Sequence, residues 1–229
     1  MKRNALWGLI VVLSLAHGVA GEGPTWPDPK VPQGENLGVP EGWVVRLDHP
    51  DHPAVISADE DEADIWFVNM TPGWHITTSP AGIFYHPAAT ASGNYRAQAK
   101  IHFFDPKGRN EGYGMIIGGS GLDTDEHQYD YFLLRNSGEF LIKRRRGADT
   151  SMIQDWTASD SINVFADDES SVANDLAIEC RDDRVLFLIN GSEVASFPRS
   201  DIATEGIIGL RMNHKTNVHV EDLSVHPLD

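Results

Sequence analysis

The chain is poor in cysteine, in positive charge and in long apolar runs. Its one cysteine, Cys180, cannot form an internal disulfide, so stability must come from a packed core. Only 18 lysines and arginines stand against 34 acidic residues, a formal charge of −16. Nucleic acid and anionic membranes need clustered Lys and Arg, and this balance argues against both as partners. No segment carries a long 3.6-period apolar stripe with caps, so little helix is expected, at most one or two turns. No long-period repeat is visible, which sets aside propellers and solenoids. The apolar run at residues 5–16 falls short of the roughly 18–20 residues that span a bilayer, and no second such run follows.

That apolar run has a different explanation. Lys2 and Arg3 precede it, and Gly18-Val19-Ala20 offers a small-residue cleavage site, so residues 1–20 read as a secretory signal peptide. Cleavage would remove two basic residues and no acidic one, taking the charge from −16 to −18. The expected protein is secreted, periplasmic or extracellular, with no membrane insertion; Cys180 lies too far from the cleavage site to carry a lipid. Residues 21–42 hold Pro24, Pro27, Pro29, Pro32 and Pro40 and read as an extended tether or strap. Residues 43–229 form the expected single domain, a length at which all-β units are common.

From Trp43 onward the pattern is strand after short strand. Residues 94–104 alternate: Ala97, Ala99, Ile101 and Phe103 share one face, and Arg96, Gln98, Lys100 and His102 the other. Strands are also predicted at 43–47, 64–69, 73–78, 82–85, 113–118, 128–135, 139–146 and 151–156. The closing strands fall at 175–181, 184–189, 193–197, 206–212 and 217–225. Asn190-Gly191 between two such runs predicts a two-residue hairpin, because both central residues of a type I′ turn need positive φ. Leu176, Ile178, Cys180, Phe187 and Leu210 are the candidate core of this closing part. One helical turn is expected near residues 162–165. Short strands with turns every 8–12 residues point to an all-β sandwich or barrel.

The run from Tyr113 to Arg146, with Gly206-Ile-Ile-Gly-Leu-Arg and the following Val218-x-Val220-x-x-Leu-x-Val225, resembles the concanavalin A-like lectin/glucanase jelly rolls. Within these it looks nearest to exported laminin-G-like domains and to the group of 3-keto-disaccharide hydrolases. The resemblance implies a sandwich of two antiparallel sheets, one of them curved and often binding sugar on its concave face. The hydrolase group tends to carry Asn-Ser-Gly, an apolar residue and then Arg on a central strand. Here Asn136-Ser137-Gly138 is followed by Glu139 at a turn, so no active-site residue carries over. Glucanases of this fold place Glu-x-Asp-x-Glu, or the same with one more residue, along one strand. The one Glu-x-Asp here, Glu62 to Asp64, has Trp66 or Phe67 where the second glutamate belongs, so that hydrolytic chemistry is not expected.

The remaining polar groups suggest binding. Tyr129, Tyr131 and Trp156 are candidates to stack on a sugar, against the plainer reading that aromatics fill sandwich cores. In Lys143-Arg144-Arg145-Arg146, Arg144 and Arg146 follow Phe140 and Ile142 on one face and are candidates for a carboxylate or acidic sugar, or for pairing with the chain's own acids. His102 joins the candidate ligand groups. Asp123, Asp125, Glu126 and Asp130 form an oxygen-rich stretch that could hold Ca²⁺, the one cofactor considered. His49 and His52 with Asp48 and Asp51 could ligate a transition metal. Gly118-Gly-Ser120-Gly121 lacks the pattern of a serine nucleophile. Asn69 and Asn190 match glycosylation acceptor patterns in a eukaryotic source. The leading expectation is an exported β-sandwich that binds carbohydrate or another extracellular polymer without catalysis. Two alternatives remain: a sugar hydrolase or lyase using His102, His75 and Glu111, and a structural adhesion module.

Overall fold

Two stacked sheets account for nearly all of what the computed structural model describes, residues 37–49, 54–70, 72–166 and 169–229. The signal-peptide segment, most of the proline-rich segment, and Asp51 and His52 lie outside the described residues. The seven-stranded sheet runs β1 (Val44–Leu47), β5 (Gly82–Ala91), β14 (Gly206–Met212), β7 (Tyr113–Ser120), β8 (Gln128–Arg135), β9 (Glu139–Arg146), β10 (Asp149–Ala158). The eight-stranded sheet runs β13 (Ser192–Pro198), β12 (Arg184–Ile189), β11 (Ser171–Cys180), β6 (Tyr95–Phe104), β15 (Asn217–Pro227), β4 (Trp74–Thr78), β3 (Ile65–Asn69), β2 (Ile56–Ser57). All neighbours pair antiparallel except β2 with β3, a parallel pair absent from the sequence reading.

Alternation builds the core. Tyr95, Ala97, Ala99, Ile101 and Phe103 of β6 face inward, and Leu176, Ile178, Cys180, Phe187 and Leu210 join the same cluster, as their spacing predicts. Burial pushes the Cys180 thiol up to about 11, so it behaves as a small apolar residue. Aromatic pairs bridge the two sheets: Phe132 with Phe187 at 5.2 Å, Phe84 with Phe67 at 5.4 Å, and Phe103 stacked on Tyr113 at 4.6 Å. The Asn190-Gly191 hairpin has the predicted handedness, with φ of 50° and 81° and Ile189 opposite Ser192.

Two local features depart from the sequence reading. Residues 162–165 do not form a helical turn, because side-chain amides capture their backbone donors: Asn163 N–H donates to Asn174 Oδ1 and Phe165 N–H to Asn136 Oδ1. Among the described residues the helical turn is at Arg199–Asp201 instead. β5 continues past Pro87 to Ala91, and the proline falls inside a register shift opposite β14, where no ladder donor is missed. β7 and β8 are buried on both faces along most of their length. The end of the proline-rich segment straps β3: Asn69 N–H donates to Gly38 O at 3.0 Å, and Leu37 packs against Trp66, Val68 and Met70.

Candidate functional site

The outer face of the seven-stranded sheet carries side chains that alternation turns away from the core. At one level the register places Arg46 of β1, Ile83 of β5, Arg211 of β14, Gly114 of β7 and Leu133 of β8 side by side. Tyr85, Gly209, Ile116, Tyr131 and Lys143 form the next level, with Tyr129 opposite Arg145 beyond. Leu122, from the loop between β7 and β8, folds onto these residues and closes the apolar part of the face.

A polar constellation sits in this layer. Arg211 Nη1 and Nη2 donate to Asp48 Oδ1 and Oδ2 at 2.8 and 2.5 Å, a two-pronged pair just beyond the end of β1. The guanidinium lies 4.9 Å from the Tyr131 ring centre, and Nη1 also reaches Tyr129 Oη at 3.4 Å. Burial pushes the Asp48 carboxyl up, but the Arg211 hydrogen bonds and charge outweigh it and the net shift is downward. Burial pushes the Tyr131 hydroxyl up to about 12 and raises that of Tyr129 as well, so both rings stay neutral. Arg145 Nε donates to Gly147 O at 2.9 Å. His127 lies against Tyr129, its Nδ1–H donating to Thr124 O at 3.1 Å; burial, with Arg46 next, lowers its pKa.

Beside this constellation a cleft of about 480 Å³ opens at the β1 edge, lined among others by Val44, Arg46, Tyr85, Leu122, Asp123 and Asp125. Arg46 donates to Leu122 O at 3.3 Å and stands 3.8 Å from Asp125. Burial raises the Tyr85 hydroxyl pKa, with Asp123 adding to the shift. The cleft thus offers planar charged groups, a hydroxyl and an apolar wall, which suits a small polyhydroxylated ligand.

A scan against models of known protein families finds no match, and neither does a search of curated proteins. Solved structures do match. The carbohydrate binding module CBM66 from Bacillus subtilis aligns with a TM-score of 0.56 at 12% identity, over 81% of this chain and 95% of that one. A Bacillus subtilis protein of unknown function with a galectin-like fold gives 0.48 at 13% identity, over 81% and 89%. Sheep galectin-11 gives 0.44 at 12%, over 61% and 92%. With the first of these and the two-sheet topology, the architecture is settled. The fold is a two-sheet β-sandwich of the jelly-roll type.

The jelly roll brings some predicted residues together and separates others. Tyr129, Tyr131 and Trp156 do share the outer face of the seven-stranded sheet, but the two tyrosines are its buried floor, and Trp156 lies under the Arg135 guanidinium at 4.1 Å. Arg144 points inward as expected, where it donates to both Asp130 oxygens and to Asp201 O. Arg146 is exposed at the end of β9, away from the cleft's lining. His102 and His75 are buried on the outer face of the other sheet. Asp123 and Asp125 reach the cleft and Glu126 is exposed in the same loop, but Asp130 turns to the opposite side of β8. The four therefore do not converge as a calcium cage, and among the described residues no group of three or more His, Cys, Asp or Glu takes up a metal-holding arrangement.

Sequence reasoning overlooked Arg46, Tyr85, His127 and Arg211. A signal for Arg211 was present: it is the one charged residue in an otherwise apolar strand. Alternation puts Arg145 on the outer face, opposite to Arg144 and Arg146.

Proposed function

We propose that this protein is an exported, non-catalytic module that binds a saccharide in the cleft at the β1 edge of the seven-stranded sheet. One observation carries the reading: Arg46, Tyr85, Asp123 and Asp125 converge on a cleft of about 480 Å³ that Val44 and Leu122 wall on its apolar side. Carboxylates and a guanidinium can each bridge neighbouring hydroxyls of a sugar with charge-assisted hydrogen bonds, and the apolar wall accepts its C–H face. The likeness in fold to a carbohydrate binding module supports the same reading. Titration calorimetry against a panel of short neutral and acidic oligosaccharides tests it. Binding of at least one saccharide is expected, weakened about tenfold or more by Arg46→Ala or Asp123→Ala, the worth of one lost hydrogen bond to a charged group. Absence of heat with every saccharide would sink the reading.

A further inference from the structure

We propose that a cleft of about 750 Å³ at the loop end of the sandwich is a second saccharide site, one that takes a neutral sugar. The proposal goes beyond the β1-edge reading, because the two clefts share no lining residue. They meet at one loop. Ser120 and Gln128, where β7 ends and β8 begins, line this cleft; Leu122, Asp123 and Asp125 between them line the other. The remaining walls come from Asp182 and Asp183, in the β11–β12 turn, and from the segment between β13 and β14 that carries Arg199 and Thr204.

Thr204 points to a ligand. It is 6% exposed and lines the cleft, yet its hydroxyl makes no hydrogen bond to the described residues. Its backbone is fixed nonetheless. Thr204 O accepts from the buried Tyr95 Oη at 2.8 Å, and the neighbouring Ala203 N–H donates to Asp130 Oδ2 at 2.7 Å. Buried polar groups are normally spent on the fold. A hydroxyl left over at a rigid wall is preorganised for whatever fills the cleft, with little ordering to lose on binding.

The rest of the wall is equally anchored. Arg199 Nη1 donates to Asn94 Oδ1 and Arg181 O at 3.0 and 2.9 Å, and its Nη2 to Gly93 O and Glu205 Oε1 at 2.8 and 2.9 Å. One side chain thereby ties three turns together. Asp182 Oδ1 accepts from Asn94 Nδ2 at 2.8 Å. These contacts use one oxygen each of Asp182 and Glu205, and the second oxygen of each has no hydrogen bond among the described residues. A carboxylate held by one oxygen can accept a sugar hydroxyl on the other, a charge-assisted bond. Charge sets the ligand class. Asp182, Asp183 and Glu205 stand against the single guanidinium of Arg199, in a chain of charge −16, so an anionic ligand is repelled.

The test titrates the folded, nitrogen-15-labelled chain with cellotetraose, xylotetraose, mannotetraose and maltotetraose, and follows the amide resonances. With at least one of them, the amides of residues 182–183 and 199–205 are expected to shift as one set. Thr204→Val keeps the side chain's shape and removes its hydroxyl, so it should weaken that response about fivefold, the worth of one hydrogen bond, with Tm unchanged. Asp182→Ala should weaken it about tenfold. Both variants should leave any response of residues 44–47 and 122–125 as it is, and Arg46→Ala should spare the set at 199–205. Shifts at the β1 edge with none at the loop-end cleft overturn the proposal and leave the saccharide reading standing. Shifts at the loop-end cleft alone support it and count against the β1-edge cleft. No shift with any of the four sugars, or a response at 199–205 that both variants leave undiminished, overturns the proposal.

Discussion

Asn190 shows how one side chain can hold a turn and a loop at once. Its backbone takes the left-handed conformation that the hairpin requires, at φ of 50°. Its side-chain Oδ1 accepts from Asp175 N–H at 2.8 Å, and its Nδ2 donates to Ser161 O and Asn174 Oδ1 at 2.7 and 2.8 Å. Asn174 passes the network on to Asn163 and to Tyr113 Oη. Asn190→Ala is therefore expected to cost roughly 2–4 kcal/mol in a urea denaturation experiment, from lost hydrogen bonds plus left-handed strain. Asn190→Gly keeps the turn and loses only the bonds, so it should cost less. Equal costs for the two would remove the turn from the account. Both Nδ2 hydrogens are committed to the fold, which also argues against this side chain as a glycan acceptor despite its matching pattern.

Across β4, β15 and β6, register aligns His75, His219 and His102 on the outer face of the eight-stranded sheet. All three are buried, with ring centres about 6 Å apart. Burial lowers the His102 and His219 pKa values to about 4, His219 adding to the effect on His102. Glu221 lies 3.2 Å from His102, and burial raises its carboxyl pKa; Lys100 faces both. His75 Nε2 hydrogen-bonds Asn217 Oδ1 at 2.7 Å. A histidine pKa depressed by folding contributes stability that is present above its unfolded value near 6.5 and lost as pH falls toward 4. Glu221 has the opposite sign and offsets part of the loss. Stability should drop by on the order of 2 kcal/mol per depressed histidine between pH 8 and pH 5. Urea midpoints measured across that range check it, and a double His102→Gln, His219→Gln variant should flatten the curve. A flat profile in the unmodified chain would contradict the burial argument.

At the scale of the whole molecule, stability rests on the interface between the two sheets. Phe132 meets Phe140 at 6.1 Å on its own sheet and Phe187 at 5.2 Å on the other, with no solvent exposure. Phe132→Ala should cost about 3–5 kcal/mol through lost burial and a cavity that rigid strands cannot close. Guanidinium denaturation measures it, and a cost near 1 kcal/mol would mean the sheets collapse onto the gap.

Local sequence was enough to place most of the strands, the Asn190-Gly191 turn and the class of the fold, but not β2 or the second half of β5. Period-2 alternation and Asn-Gly chemistry act over a few residues, which is why β8, β9, β12 and β14 begin and end where the pattern places them. The strand order was not legible, because it depends on which distant segment lies against a strand. The candidate site shows the same division. Alternation alone put Arg145 on the face opposite Arg144. Only tertiary structure decided that Asp130 would neutralise Arg144 and that Asp48 would reach Arg211 from 163 residues away. Charge pairing across a sheet is set by register and strand order, and neither is written in the spacing of any single strand.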